Sequence, residues 1–201
     1  MGASMLRNTA TGYGLVSIAF HWAMVALILS LFALGLYMTG LPQTDPGTFA
    51  LYQLHKSLGF TILALVAVRL LWRLSSPAPQ LPSGMAMWER AGAHASHFVL
   101  YLLMFAIPLS GWLMVSASPW GIPTVLYGVL PVPHLPVPSL LGAKPAAEAT
   151  MKSVHEILAW SVIVLATFHA AAAIKHHLVT RDDTLRRMIS TRPARKETSR
   201  A

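Results

Sequence analysis

The 201-residue chain contains nine histidines and no cysteine, and four of the histidines stand inside or at the edges of long apolar runs: His21, His55, His155 and His169. An imidazole in hydrocarbon is costly unless it hydrogen-bonds or binds a metal, so such residues mark functional sites. His155 and His169 share one run and lie fourteen residues apart. Fourteen helical residues rise about 21 Å and make almost four whole turns, which puts both rings on one face near opposite sides of a hydrocarbon layer about 30 Å thick. His21 and His55 fall at matching depths in two other runs, His21 level with His169 and His55 level with His155. Neutral imidazole is a standard axial ligand of haem iron, and helical bundles place cofactors between facing helices. The pattern reads as two stacked haems, one near each membrane surface. Without cysteine, C-x-x-C-H attachment and thiolate metal sites are excluded, so each haem would be held non-covalently.

Four elements must position these rings. Hydrophobic residues make up 55% of the chain, and apolar runs cover about 16–38, 51–74, 91–115 and 154–174, each near the length a spanning helix needs. The fold class read from this is all-α, a transmembrane four-helix bundle forming one membrane-embedded domain over 1–201, with no separate soluble domain. At about 23 residues the first run exceeds a signal-peptide core, and its removal would discard His21, so it reads as a retained helix. Pro108 should kink the third span. A connection of about 118–150 holds seven of the fourteen prolines and reads as a structureless cover over one end of the bundle.

The formal charge of +8 is distributed unevenly. With four spans, twelve of the fifteen lysines and arginines fall on the side of the termini, eight of them in the tail 175–201, whereas only Lys56, Lys144 and Lys152 fall on the other. The positive-inside bias then puts both termini in the cytoplasm and the proline-rich loop in the periplasm. A nucleic-acid partner is excluded, because the basic residues form membrane flanks and a short polar tail rather than a folded basic face with stacking aromatics.

The other candidates have bland readings beside their functional ones. His94 and His97 compete with His21 for the cytoplasmic pair, or hydrogen-bond near a haem propionate. His176 and His177 read as interfacial and His134 as solvated. Lys56, Arg69 and Lys152 suit haem propionates, although Arg69, Arg73 and Lys175 equally suit lipid headgroups. Gly59 and Ala170 to Ala173 suit either a porphyrin face or close helix packing. The tryptophans fall mostly near span ends, as an aromatic belt does.

The strings Ala19-Phe20-His21-Trp22, Leu54-His55-Lys56-Ser57-Leu58-Gly59, His155-Glu156 and Phe168-His169-Ala170, with Lys175-His176-His177-Leu178 and Arg181-Asp182-Asp183-Thr184-Leu185-Arg186-Arg187-Met188, resemble the bacterial cytochrome b561 family over nearly the whole chain. The resemblance implies a multi-pass inner-membrane protein with two haem b groups, bound at His21, His55, His155 and His169, that passes electrons across the bilayer and exchanges them with ubiquinone. It also implies three further roles found among such proteins: oxidation of periplasmic superoxide, anchoring of a dehydrogenase or hydrogenase, and partnership with a small periplasmic redox or lipid-binding protein. A histidine-lined carrier of zinc or copper is the competing class, and it would want a continuous polar pathway with intramembrane carboxylates. The spans contain only Glu156, near one end.

Overall fold

The computed structural model describes residues 3–82 and 84–191. A single turn, α1 (Ala3–Leu6), precedes three long helices: α2 (Leu15–Thr39), α3 (Pro46–Ser75) and α4 (Met87–Ala117). Two short strands, β1 (Thr124–Leu126) and β2 (Leu130–Val132), lead to the last long helix, α5 (Lys144–Lys175). All four long helices are long and apolar enough to cross a membrane. Local chemistry explains their ends. Gly40 and Pro42 stop α2, and Asp45 then caps α3, its carboxylate accepting from the Thr48 amide at 3.2 Å with Pro46 in the first turn. The Glu89 carboxylate reaches back to accept from the Ala86 amide at the start of α4. Pro145 occupies the first turn of α5, which begins about ten residues before the apolar run it carries. Helix α4 continues through Pro108.

Only a thin core is dry. Met24, Val66 and Met104 pack together from α2, α3 and α4, flanked by Ile28, Tyr101 and Phe105. Leu29, Leu36, Val68, Leu71, Phe98, Leu102, Ile157, Val164 and Phe168 lie exposed on the outside of the bundle. Apolar exposure on this scale is what a helical bundle solvated by lipid presents.

The connection between α4 and α5 is built rather than structureless. β1 and β2 pair antiparallel, Thr124 with Val132 and Leu126 with Leu130, around a turn in which Tyr127 and Gly128 take positive φ. This hairpin is fastened to α3: the Tyr127 amide donates to Ser57 Oγ at 3.0 Å, its hydroxyl meets Thr61 Oγ1 at 2.6 Å, and Gln53 Nε2 donates to the Pro123 carbonyl at 3.0 Å. Trp112 Nε1 donates to the Pro133 carbonyl, and the Leu135 amide donates to Ser116 Oγ, fastening the rest to α4. Period-two alternation over three residues is too short to announce a strand, and Pro131, the one proline within these two strands, stands in a two-stranded ribbon in which both strands are edges.

The opposite end carries the first and last of the described segments. Asn8 bonds to Ser76, Arg187 donates to the Gln80 carbonyl, Lys175 pairs with Glu89 at 2.5 Å, and Trp22 Nε1 donates to the Met188 carbonyl. Helix α5 widens there into a π-helical turn, His176–Thr180, closed by Arg181 in the left-handed conformation. The basic stretch around His176 predicts an interfacial ring. It is buried instead, its Nδ1 2.6 Å from Asp182 Oδ2, while His177 is exposed. The tail beyond residue 191, with four of the basic residues counted above, lies outside the described residues.

Candidate functional site

The four histidines form two facing pairs at two depths. At the end covered by the hairpin, His55 of α3 faces His155 of α5 with ring centres 6.3 Å apart. At the end carrying the termini, His21 of α2 faces His169 of α5 with ring centres 6.4 Å apart. Two metal–nitrogen bonds of about 2 Å, plus about 1 Å from each nitrogen to its ring centre, put axial imidazole centres about 6 Å apart across one iron. Both pairs fit that requirement. No cluster of three or more His, Asp or Glu that could hold a metal occurs among the described residues. A metal between either pair would therefore need its other ligands from a group such as a porphyrin.

Each pair has neighbours suited to axial ligands. His155 Nδ1 lies 3.0 Å from both the Ile107 carbonyl and Ser110 Oγ of α4, so a proton on Nδ1 is held by the carbonyl and the Nε2 lone pair is free for a metal. His55 Nδ1 is buried without a hydrogen-bond partner. Gly35 and Gly111 make room for these rings. A Cβ on Gly35 would come within 3.4 Å of His55 Cε1, and one on Gly111 within 3.1 Å of His155 Cε1. Glycine is the residue that lets a ring approach a helix backbone this closely.

The terminus-bearing pair lies among cationic and polar groups. Arg69 Nη2 is 3.4 Å from His21 Nδ1, and the Arg69 and Arg73 guanidiniums lie 5.6 and 5.8 Å from the centre of the Tyr101 ring. His97 sits beside His169 with ring centres 5.1 Å apart, closer than an intervening iron requires. It therefore flanks the pair. His94 is exposed and lines, with Arg73, His97 and Tyr101, an outer cleft of about 370 Å³ between α3 and α4.

The loop histidine, His134, is exposed with Nε2 3.3 Å from the Ile122 carbonyl. Lys56 Nζ reaches the Pro123 carbonyl at 3.4 Å, so the hairpin shares its charge. Nothing stands within 4 Å of a Cβ built on Gly59. Trp160 lies in the middle of α5, not at a span end, and packs edge-on against Phe32 of α2 at 4.9 Å.

Sequence reasoning passed over Gly35, Gly111 and the contacts of Ile107 and Ser110 with His155. A signal for the glycines was present. Gly35 follows His21 by fourteen residues, Arg69 follows His55 by fourteen, and Gly111 follows His97 by fourteen, repeating the His155–His169 spacing on every long helix. Since fourteen residues return to nearly the same helix face, each helix gives one residue to each level: Gly35, His55, Gly111 and His155 at the hairpin end, and His21, Arg69, His97 and His169 at the other. Ile107 contributes only a backbone carbonyl, which no residue type announces.

Four membrane-spanning helices with two facing histidine pairs define an integral-membrane cytochrome of the b type, built to carry electrons. Residues 12–191 match the model of the prokaryotic cytochrome b561 family, and the chain belongs to that family. It is 40% identical over 183 residues to cytochrome b561 homolog 2 of Escherichia coli, covering 90% of this chain and 93% of the relative. It is 30% identical over 182 residues to the probable superoxide oxidase CybB of Yersinia pestis, covering 88% and 95%. Similarity extends at 25% identity over 186 residues to cytochrome b562 of Cereibacter sphaeroides, covering 90% and 97%. The chain is thus an integral bacterial membrane protein of an electron-transport family whose cofactor is haem b.

Proposed function

We propose that the chain binds two haem b groups, one between His55 and His155 and one between His21 and His169, and passes electrons across the inner membrane between a periplasmic donor and ubiquinone. The carrying observation is the pair of ring separations, 6.3 and 6.4 Å, at two levels of one bundle. When bound, haem supplies reversible one-electron chemistry at iron, and the chain supplies ligation, orientation and electrostatics. Helix α5 gives one imidazole to each level, so a single rigid element sets the separation between the two sites. The Ile107 carbonyl fixes the His155 tautomer, and the hairpin covers the α3 end beside His55. The twelve-to-three distribution of basic residues supports cytoplasmic termini, which makes the hairpin end periplasmic.

A reduced-minus-oxidised absorption spectrum, with haem measured per chain, tests this reading. The wild-type protein should carry two low-spin b haems, and His21→Ala and His155→Ala should each retain one. A protein without haem sinks the proposal. Retention of two haems in His21→Ala would move that ligand to His97 or His94.

For the donor we favour superoxide, after which the Yersinia relative is named. Lys56 and Lys152 would attract an anion to the periplasmic mouth. Replacing both with glutamine should slow superoxide oxidation at low ionic strength and leave it unchanged at high salt. A second reading is a haem-bearing membrane anchor relaying electrons for a dehydrogenase or other redox subunit. It is favoured by the outward stripe of α5, where Ser153, Glu156 and Trp160 border a groove open to a neighbouring helix. Co-purification of a stoichiometric redox subunit would select it.

A further inference from the structure

Arg69 is a guanidinium placed inside a spanning helix, and the groups around it do not balance its charge. Its neighbours are His21 Nδ1 at 3.4 Å, Met24 Sδ at 3.6 Å and Tyr101, whose side chain it hydrogen-bonds and whose ring it overlies at 5.6 Å, and none of the three is an anion. The sulfur is a weak acceptor at a long distance, and the aromatic face attracts a cation only modestly. Arg73 overlies the same ring, so a second cation faces the same space. The three ion pairs among the described residues are Lys175–Glu89, His176–Asp182 and Arg186–Asp183, and none involves Arg69 or Arg73. Nor does Tyr13 provide a negative charge, since burial pushes its phenol up despite Arg73, Arg69 and Arg187 nearby. A guanidinium carries five donors in a planar fork matched to a carboxylate, and a half-buried cation inside a spanning helix without a counter-ion is unfavourable.

The fourteen-residue register shows what Arg69 is placed for. It holds on α3 the position that the ligand His55 holds one level away, so it points to the level of the His21–His169 pair. We infer that Arg69, assisted by Arg73, is a carboxylate-binding residue whose partner is a propionate of the haem at that level, and that the pairing makes this haem easier to reduce. The inference rests on the two-haem reading above. The sign follows from Coulomb's law: a fixed cation disfavours the oxidised, more positive iron. A lipid phosphate would offer Arg69 the same anionic chemistry from a second source.

The test is a spectroscopic redox titration of the purified holoprotein in nanodiscs, read as the ferrous-to-ferric ratio of each haem at fixed ambient potential. Arg69→Gln should lower the ratio about tenfold for the haem that His21→Ala removes, equivalent to about 59 mV for one electron, and leave the other haem in place. Arg69→Lys should restore most of it. An unchanged ratio in Arg69→Gln, with both haems retained, overturns the inference and leaves the two-haem reading standing. A wild-type protein without haem overturns that reading instead. Where Arg69→Gln loses a haem, Arg69→Lys decides: an unshifted ratio there supports a role for the charge, and loss of haem there too assigns Arg69 to packing and overturns the inference. A phosphate-free surround separates the sources. A shift of the same size in delipidated protein in a maltoside detergent and in phosphatidylglycerol nanodiscs supports the propionate, whereas one seen only in the nanodiscs assigns the partner to lipid phosphate and overturns the inference.

Discussion

The two histidine pairs share a ring separation and differ in almost everything around it. At the hairpin end, α2 and α4 give Gly35 and Gly111, the ligand-side polar groups are a backbone carbonyl and a serine, and the pair lies against close-approaching backbone. At the other end the same two helices give His21 and His97, α3 gives Arg69 instead of a histidine, and a tyrosine lies under two guanidiniums. One level is shaped by sterics and the other by charge. Iron potentials respond to nearby charge, to ligand hydrogen bonds and to burial, so two sites with equal ligands need not have equal potentials. On the two-haem reading, a bundle that repeats its geometry every fourteen residues holds two copies of one cofactor and biases electrons toward the level with the two guanidiniums.

The steric half of this contrast breaks most sharply at Gly111. A Cβ there would meet His155 Cε1 at 3.1 Å, so Gly111→Leu should push the ring out of line and reduce haem from two per chain toward one, with the haem at the other level retained. Gly111→Ala should show a partial loss, and Gly35→Ala, with 3.4 Å available, a smaller one. Pyridine haemochrome analysis against protein concentration measures all three. Equal haem content in Gly111→Leu and the wild type would mean that the glycines serve helix packing only.

The electrostatic half predicts an order of potentials. In the wild type, the haem that disappears in His155→Ala should be the harder to reduce, and the one that disappears in His21→Ala the easier. Two-component fits to a redox titration of wild type and both variants measure this, and the reverse order would remove charge as the dominant difference between levels. A weaker effect is expected at Ser110. Removing one of the two partners of His155 Nδ1 leaves the Ile107 carbonyl to hold the tautomer, so Ser110→Ala should weaken haem retention by about tenfold or less, measured by haem transfer to an acceptor protein.

The helices were legible in the sequence because lipid imposes a simple rule: about twenty apolar residues close all their backbone hydrogen bonds within a helix. The histidine pairing was legible for a related reason, since rise per residue converts sequence position into depth. The hairpin between α4 and α5 was not, because its strands are three residues long and its stability comes from Ser57, Thr61 and Trp112 far away in the chain. The same holds for His176. Its position beside His177 in a basic stretch suggests an interface, and only the π-helical turn brings Asp182 against it.

That turn closes the level of the two arginines as the hairpin covers the other, and it gives the smallest expected effect. Burial alone would raise the Asp182 carboxyl, but hydrogen bonds from Thr184 and the contact with His176 outweigh it and hold the carboxyl below its ordinary range. A carboxylate with a depressed folded-state value stabilises the fold above the unfolded value, about 3.9, and loses that contribution as pH falls through the folded one. The segment 176–191 should therefore loosen in acid, below about pH 4, and stay closed from there through neutrality. Asp182→Asn should partly reproduce the loosening at pH 7, as faster tryptic cleavage at Arg186 and Arg187 and reduced protection of the amides near Met188, whose carbonyl accepts from Trp22. Both haems should remain, because the turn touches neither pair. Loss of the haem at the His21–His169 level in Asp182→Asn would instead make the closing turn part of the charged site.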